Sequence, residues 1–155
     1  MAGRPFKRAG GWGTHQTAAY RSGLEDKIGA QLERASLPVV FEQFEVRYVV
    51  PASNHKYTPD FVLPNGIVIE GKGIFDADDR KKHLLIKEQY PDLDIRFVFS
   101  NSKAKLYKGS PTSYGDWCSK NGFKFADKLI PQAWLDEPGT GRSLVSLTRK
   151  KSKEA

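Results

Sequence analysis

"TPDFVLPNGIVIEGKG", Thr58 to Gly73, is the stretch whose reading decides the fold. Its Phe, Val, Leu and Ile residues suit two strands in the middle of a sheet, joined at Pro64-Asn65-Gly66. Yet Asp60 stands at one end of it, and Glu70 and Lys72 at the other. Side chains alternate along a strand, so Glu70 and Lys72 share a face while Gly71 points the other way. Their Cα atoms lie roughly 6–7 Å apart. Where Asp60 falls depends on the turn. A two-residue primed turn at Asn65-Gly66 would pair Leu63 with Val68 and set Asp60 opposite Gly71, on the wrong face. Pro64 instead favours the first central position of a type I turn, with Asn65 second and Gly66 left-handed in a bulge. That three-residue loop pairs Leu63 with Ile67, Val62 with Val68 and Asp60 with Glu70. Directly opposed residues have Cβ atoms about 4.5–5.5 Å apart. The turn chemistry itself predicts that the two carboxylates meet.

Two carboxylates that close repel unless a proton or a cation sits between them. Oxygen-only ligation with room for water suits Mg²⁺ or Mn²⁺ rather than zinc. A neighbouring ammonium orients or helps deprotonate a water, or stabilises charge developing on a phosphate. Metal-assisted phosphodiester hydrolysis uses all three groups, Asp60, Glu70 and Lys72. A salt-bridged sheet edge uses the same residue types, and D-x₉-E-x-K arises by chance in a chain with 18 acidic residues. The turn and the apolar surroundings favour the site.

Outward from this hairpin, "SGLEDKIGAQLERAS" sets Leu24, Ile28 and Leu32 at helical spacing before Pro38. "FEQFEVRYVV" alternates as a strand, and Pro51-Ala52-Ser53-Asn54 breaks it. Asp78-Asp79 open a helix, "DDRKKHLLIKEQY", that Pro91 stops, and "IRFVF" is a further strand. "TSYGDWCSKNG" reads as a short helix closed by Gly122, and "PQAWLDE" as another with Pro131 at its first position. The order α-β-β-β-α-β predicts an α/β sheet with at least one helix on each face. Within the first helix, Ser22-Gly23-Leu24-Glu25 fits a capping box, and from the residues alone Glu25 reads as a cap rather than a ligand. Arg80, Lys81, Lys82 and His83 crowd the first turns of the second helix, where cations oppose the macrodipole. A bound phosphate there would offset this, as would screening by Asp78 and Asp79 on a solvated face. His15 and His55 read as loop residues, and Trp12, Trp117 and Trp134 as packing.

The chain has 155 residues, 39% of them hydrophobic, enough for one domain with a real core. No run of about 18 apolar residues predicts a membrane span, and Arg4, Lys7 and Arg8 precede no apolar segment of a secretory signal. The single cysteine, Cys118, excludes an internal disulfide and a cysteine-based zinc cluster, and reads as a buried small hydrophobe. The net charge is +7, of which +3 lies in residues 1–16 and +4 in residues 139–155. Residues 17–138 are neutral overall, and the two polar ends read as flexible basic arms suited to a nucleic-acid backbone.

The Glu25 helix, the Asp60…Glu70-Gly71-Lys72 hairpin and the element order resemble the PD-(D/E)xK nuclease superfamily. Within it, "RSGLEDK", "PASNHKYTPDF", "LPNGI", "DDRKKHLLI", "KLYKGSPTSYG" and "KFADKLIP" resemble phage endonuclease I, the junction-resolving family of podophages. The resemblance covers roughly residues 20–135. It implies a restriction-endonuclease-like α-β-β-β-α-β core with a central mixed sheet flanked by helices. It implies a phage-encoded enzyme of the host cell cytoplasm that cuts branched DNA, four-way (Holliday) junctions above all, with Mg²⁺ or Mn²⁺, two ions per site. Asp60, Glu70 and the Gly71 carbonyl would hold the first ion, Lys72 would serve the attacking water, and Glu25 would approach the second. The two ends of the chain match the family poorly, so DNA contact by Arg4, Lys7 and Arg8 rests on charge alone, and contact by Arg80, Lys81, Lys82 and His83 on their place at the helix start. The family is an intertwined homodimer, which implies a swapped segment of about residues 17–50 and a bridge near 50–54. At Gly71 the family usually carries a larger residue, which bears on strand rigidity. The competing expectations are a less selective nuclease of repair or restriction type, and a non-enzymatic DNA-binding protein with basic arms.

Overall fold

The hairpin register organises everything around it. The computed structural model describes residues 22–50, 52–139 and 142–150. In chain order the elements are α1 (Gly23–Arg34), β1 (Phe44–Val50), β2 (Ser53–Tyr57), β3 (Phe61–Val62), β4 (Val68–Lys72), α2 (Ala77–Gln89), β5 (Ile95–Phe99), α3 (Tyr114–Lys120), β6 (Lys124–Asp127), α4 (Gln132–Asp136), α5 (Arg142–Val145) and β7 (Thr148–Arg149). Four strands form a mixed sheet in the order β3-β4-β5-β6, antiparallel between β3 and β4 and parallel thereafter. A second sheet, β2-β1-β7, is antiparallel throughout.

Alternation along β4 and β5 gives the mixed sheet two apolar faces. Ile69 and Val98 join Ile28 and Leu32 of α1 in one core, with Phe41, Phe61 and Ile130. Val68, Phe97 and Phe99 join the other, with Phe75, Ile86 of α2 and Cys118 of α3. Helices therefore cover both faces, as the sequence predicts. Cys118 is buried, and burial pushes its thiol up to about 12. Trp117 stacks on Phe123 with ring centroids 5.6 Å apart, and Trp134 lies 5.3 Å from the Arg96 guanidinium, so both pack.

The structure departs from the sequence reading in four places. Lys124–Asp127, between the two small helices of the sequence reading, forms β6 beside β5. A further strand, β2, follows where Pro51 to Asn54 read as a simple break; β1 and β2 form a hairpin, and His55 lies on a strand. Ala52, at the turn, has φ 76°. Residues 142–150 belong to the expected flexible tail, but they form α5 and β7 on the core. The Ser143 hydroxyl accepts the Asp94 amide at 3.0 Å, and β7 pairs with Phe44 and Glu45. Pro131 is the N-cap of α4 rather than its first residue. The N-terminal arm with Arg4, Lys7, Arg8 and Trp12, and residues 151–155, lie outside the described residues. No helix among the described residues is long and apolar enough to cross a membrane.

Candidate active site

The turn forms as its residues dictate. The Gly66 amide donates to the Leu63 carbonyl at 2.9 Å, and Gly66 takes φ 88°. The Leu63 amide donates to the Ile67 carbonyl at 2.8 Å, and Val62 pairs with Val68. Asn65 donates from Nδ2 to the Trp134 and Glu137 carbonyls at 2.8 and 2.9 Å, which ties the loop to α4. Beyond the paired residues Phe61 and Ile69, the register brings Asp60 beside Glu70. The Asp60 amide lies 3.4 Å from Glu70 Oε2, and the Gly71 amide donates to Asp60 Oδ2 at 2.9 Å. Both side chains are buried, Asp60 at 7% exposure and Glu70 at 5%.

Lys72 shares the Glu70 face as strand alternation requires. Its Nζ lies 3.7 Å from Glu70 Oε1 and 3.1 Å from Asp79 Oδ1. Two participants were not singled out from the sequence. The Tyr57 hydroxyl donates to Glu70 Oε2 at 2.6 Å, and Asp79, read only as a helix-start acid, anchors Lys72 and lies 3.5 Å from Lys82. An aromatic hydroxyl closing an otherwise polar strand, three residues before Asp60, was the available signal for Tyr57.

Burial works against charge on both carboxylates. It raises Asp60 from 3.8 to about 9, with Glu70 and Glu25 adding to the rise and the Gly71 amide and Lys72 opposing it. It also raises Glu70, against Lys72, Tyr57 and Lys82. Burial alone would lower Lys72, but Glu70 and Asp79 outweigh it and the net shift is upward, so the lysine is a cation. Burial first, and then Glu70, keeps the Tyr57 hydroxyl protonated as a donor. The site therefore has excess buried negative charge that a proton or a divalent ion relieves.

A stability prediction follows for the metal-free protein. Folded Asp60 holds its proton more tightly than unfolded Asp60, so its contribution favours folding near pH 4 and is lost as pH rises toward about 9. Asp60→Asn removes that loss. In EDTA the variant is more stable than the parent at pH 8, by about 1–3 kcal/mol, and the advantage vanishes near pH 4. Denaturant unfolding at the two pH values checks this, and a variant less stable at pH 8 contradicts the assignment.

Glu25 turns out to combine two features that the sequence set against each other. Its backbone amide donates to the Ser22 hydroxyl at 3.2 Å, so Ser22 caps α1. Its carboxylate is buried and close enough for its charge to raise Asp60. The cap engages the amide, so it does not compete with a role for the carboxylate. Among the described residues, no three Asp, Glu, His or Cys side chains gather closely enough to hold an ion by themselves. The oxygen set is the Asp60–Glu70 pair, with the Gly71 carbonyl on the same strand and Glu25 nearby. A Cβ added at Gly71 would meet Leu24 Cδ2 and Ile28 Cδ1 at 3.5 Å and Asp60 Oδ2 at 3.7 Å, ordinary contacts, so the glycine is not required by crowding.

Of the basic run on α2, Lys81 is exposed and Lys82 is half-buried beside Asp79. Arg80 donates to the Phe75 carbonyl at 2.6 Å. His83 corrects the sequence expectation. At 0% exposure it faces the core one turn before Ile86, edge-on to Tyr57 and Phe97, and no phosphate reaches it in this conformation. Among the described residues, neither ring nitrogen has a hydrogen-bond partner, and burial holds the imidazole well below its ordinary pKa, as a neutral ring.

Sequence comparison with known proteins gives matches over nearly the whole chain. The chain is 58% identical over 145 residues to Endonuclease I of Escherichia phage T7, covering 94% of this chain and 97% of that protein. It is 63% identical over 123 residues to Endodeoxyribonuclease 1 of Enterobacteria phage T3, covering 79% of this chain and 81% of that one. The sequence profile of phage endonuclease I matches residues 6–154. With a match of that extent, the chain belongs to the phage endonuclease I family.

Proposed function

We propose that this protein is a structure-selective endodeoxyribonuclease that hydrolyses phosphodiesters in branched DNA, four-way junctions above all, in the host cell cytoplasm. The observation that carries this reading is the buried Asp60–Glu70 pair with the Lys72 ammonium 3.7 Å from Glu70. The names of the phage T7 and T3 relatives support the nuclease reaction.

The donor set fits Mg²⁺ or Mn²⁺: all oxygen, two carboxylates, and an electrostatic surplus that favours a cation. Asp60, Glu70 and the Gly71 carbonyl would hold one ion, and Glu25 would approach a second. When bound, the metal supplies Lewis-acid activation of the phosphodiester and a more acidic water. Tyr57 orients Glu70 through its hydrogen bond, and the Gly71 amide orients Asp60. Lys72, held between Glu70 and Asp79, presents a proton-bearing cation to the attacking water or to charge developing on the phosphate.

A homodimer is the active form in this reading, because resolving a junction takes two symmetric cuts and a two-fold enzyme supplies two sites. In the chain as described, α1 packs on its own β4 through Leu24 and Ile28. A swapped dimer makes the same contacts between chains, with the crossing near Val50 to Asn54. Incubation with a labelled four-way junction and an equal-length duplex, first with Mg²⁺ and then with EDTA, tests the reading. Metal-dependent cutting of the junction alone is expected. Equal cutting of both indicates a less selective nuclease, and tight binding with no cutting at any metal concentration indicates a DNA-binding protein without this activity.

A further inference from the structure

The carboxyl ends of parallel strands are where α/β sheets place their ligands, and here β4, β5 and β6 end side by side. Lys72 pairs with Phe99, and Phe99 with Asp127, across the three strands. Immediately beyond them lies a hollow of about 520 Å³ lined by Ser100, Asn101, Lys103, Asp127 and Lys128. The Ser100 amide donates to the Lys72 carbonyl at 3.0 Å, so the hollow begins where the catalytic strand ends. Two strand spacings, roughly 10 Å, separate β4 from β6.

We propose that this hollow seats a backbone phosphate of the DNA strand, flanking the phosphate that is cut. The inference rests on the nuclease reading above and assigns part of the substrate's path. Among the described residues, neither Lys103 nor Lys128 has an ion-pair partner, whereas Lys72 and Lys82 are both held by Asp79. Lys128 adopts φ 69°, a conformation that L-residues rarely take, with its amide donating to the Phe99 carbonyl at 2.8 Å. Its side chain thereby leaves β6 at the hollow, and the backbone holds it there despite the strain.

The acidic group in the lining is already engaged. Asp127 accepts the Ser102 amide at 2.6 Å and the Ser102 hydroxyl at 2.7 Å, one on each oxygen, and so braces the loop that carries Lys103. Asn101 accepts the Lys103 amide through Oδ1 at 3.0 Å, which leaves its NH₂ group as a donor. Two ammonium groups, an amide NH₂ and the Ser100 hydroxyl form a donor set for a phosphodiester. Every lining residue lies between 100 and 128, so the seat is the same whichever chain supplies α1.

The test uses the full chain and a four-way junction in EDTA, with binding measured across a salt series. Lys103→Gln/Lys128→Gln should melt like the parent, bind more weakly, and show a slope of log K against log salt shallower by about 1. Lys120→Gln/Lys124→Gln, at the end of α3 and the amino end of β6, should keep the parental slope. Single methylphosphonate linkages around the cut should weaken parental binding at one flanking position and have no further effect there in the Lys103/Lys128 variant. An unchanged slope, or an equal change in both pairs, overturns the seat. Cleavage by the parent is followed alongside. Its absence overturns the nuclease reading, whereas normal cleavage with an unchanged slope overturns the phosphate seat alone.

Discussion

Glu70→Gln lowers Mg²⁺-dependent junction cleavage by on the order of 10³-fold or more and leaves junction binding intact. The amide keeps the shape of the side chain and an oxygen to accept from Tyr57, which donates at 2.6 Å in the parent. It removes the negative charge that would draw a cation to the Asp60–Glu70 pair and that helps hold Lys72 at 3.7 Å. Asp60→Asn behaves alike, and Lys72→Ala is folded but nearly inactive. None of these changes alters Lys103 or Lys128, so affinity in EDTA is preserved. Single-turnover cleavage of a labelled junction, beside gel-shift titration, separates the two quantities. Substantial Mg²⁺-dependent cutting by Glu70→Gln removes this carboxylate from the mechanism.

Glu25→Gln carries the second large effect, because it separates a cap from a site residue. Ser22 accepts the Glu25 backbone amide, which glutamine retains, so a purely capping role predicts unchanged cleavage. The stability change is then a few tenths of a kcal/mol through the helix dipole. A role beside Asp60 predicts near-complete loss of cutting in a folded protein. A swapped dimer would add a sharper consequence. In a heterodimer of Glu25→Gln and Asp60→Asn chains, one composite site carries both defects and the other carries neither. Mixtures that exchange subunits therefore regain cutting on one side of the junction. If each site is built from one chain, both sites of the heterodimer stay defective. Heterodimers that form without regained activity contradict the shared site.

The centre of the fold was legible because Pro64-Asn65-Gly66 sets the register as well as the turn. A one-residue difference in loop length would have placed Asp60 on the opposite face, and the observed Val62–Val68 pairing is that of the three-residue loop. The edges were less legible. Ser53–Tyr57 has no apolar alternation, since four of its five residues are exposed at the rim of its sheet. Polar edge strands resist unwanted pairing, and the same polarity hides them from a reading based on periodicity. β7 contributes two exposed residues, Thr148 and Arg149, inside a segment whose composition suggests a tail.

Two charged or titratable groups were misplaced or missed. His83 sat in a run of cations, yet its position relative to Ile86 puts it on the apolar face of α2. Arg96 interrupts the apolar strand β5 and is 1% exposed. It is held by Asp94 at 2.8 Å and by Glu137, 41 residues on, at 2.7 Å. Only the fold brings Glu137 there. The Asp60–Glu70 pair escaped this difficulty because its members are joined by a single tight turn. Tyr57 and Asp79, which support that pair from other elements, required the tertiary structure.

The central claim is that Asp60 and Glu70 together hold a divalent ion. Calorimetric titration of the full chain with Mn²⁺, in the absence of DNA, tests it most directly. The account predicts saturable binding by the parent, lost in both Asp60→Asn and Glu70→Gln although each variant remains folded. Mn²⁺ binding by Glu70→Gln with the affinity and stoichiometry of the parent would contradict it.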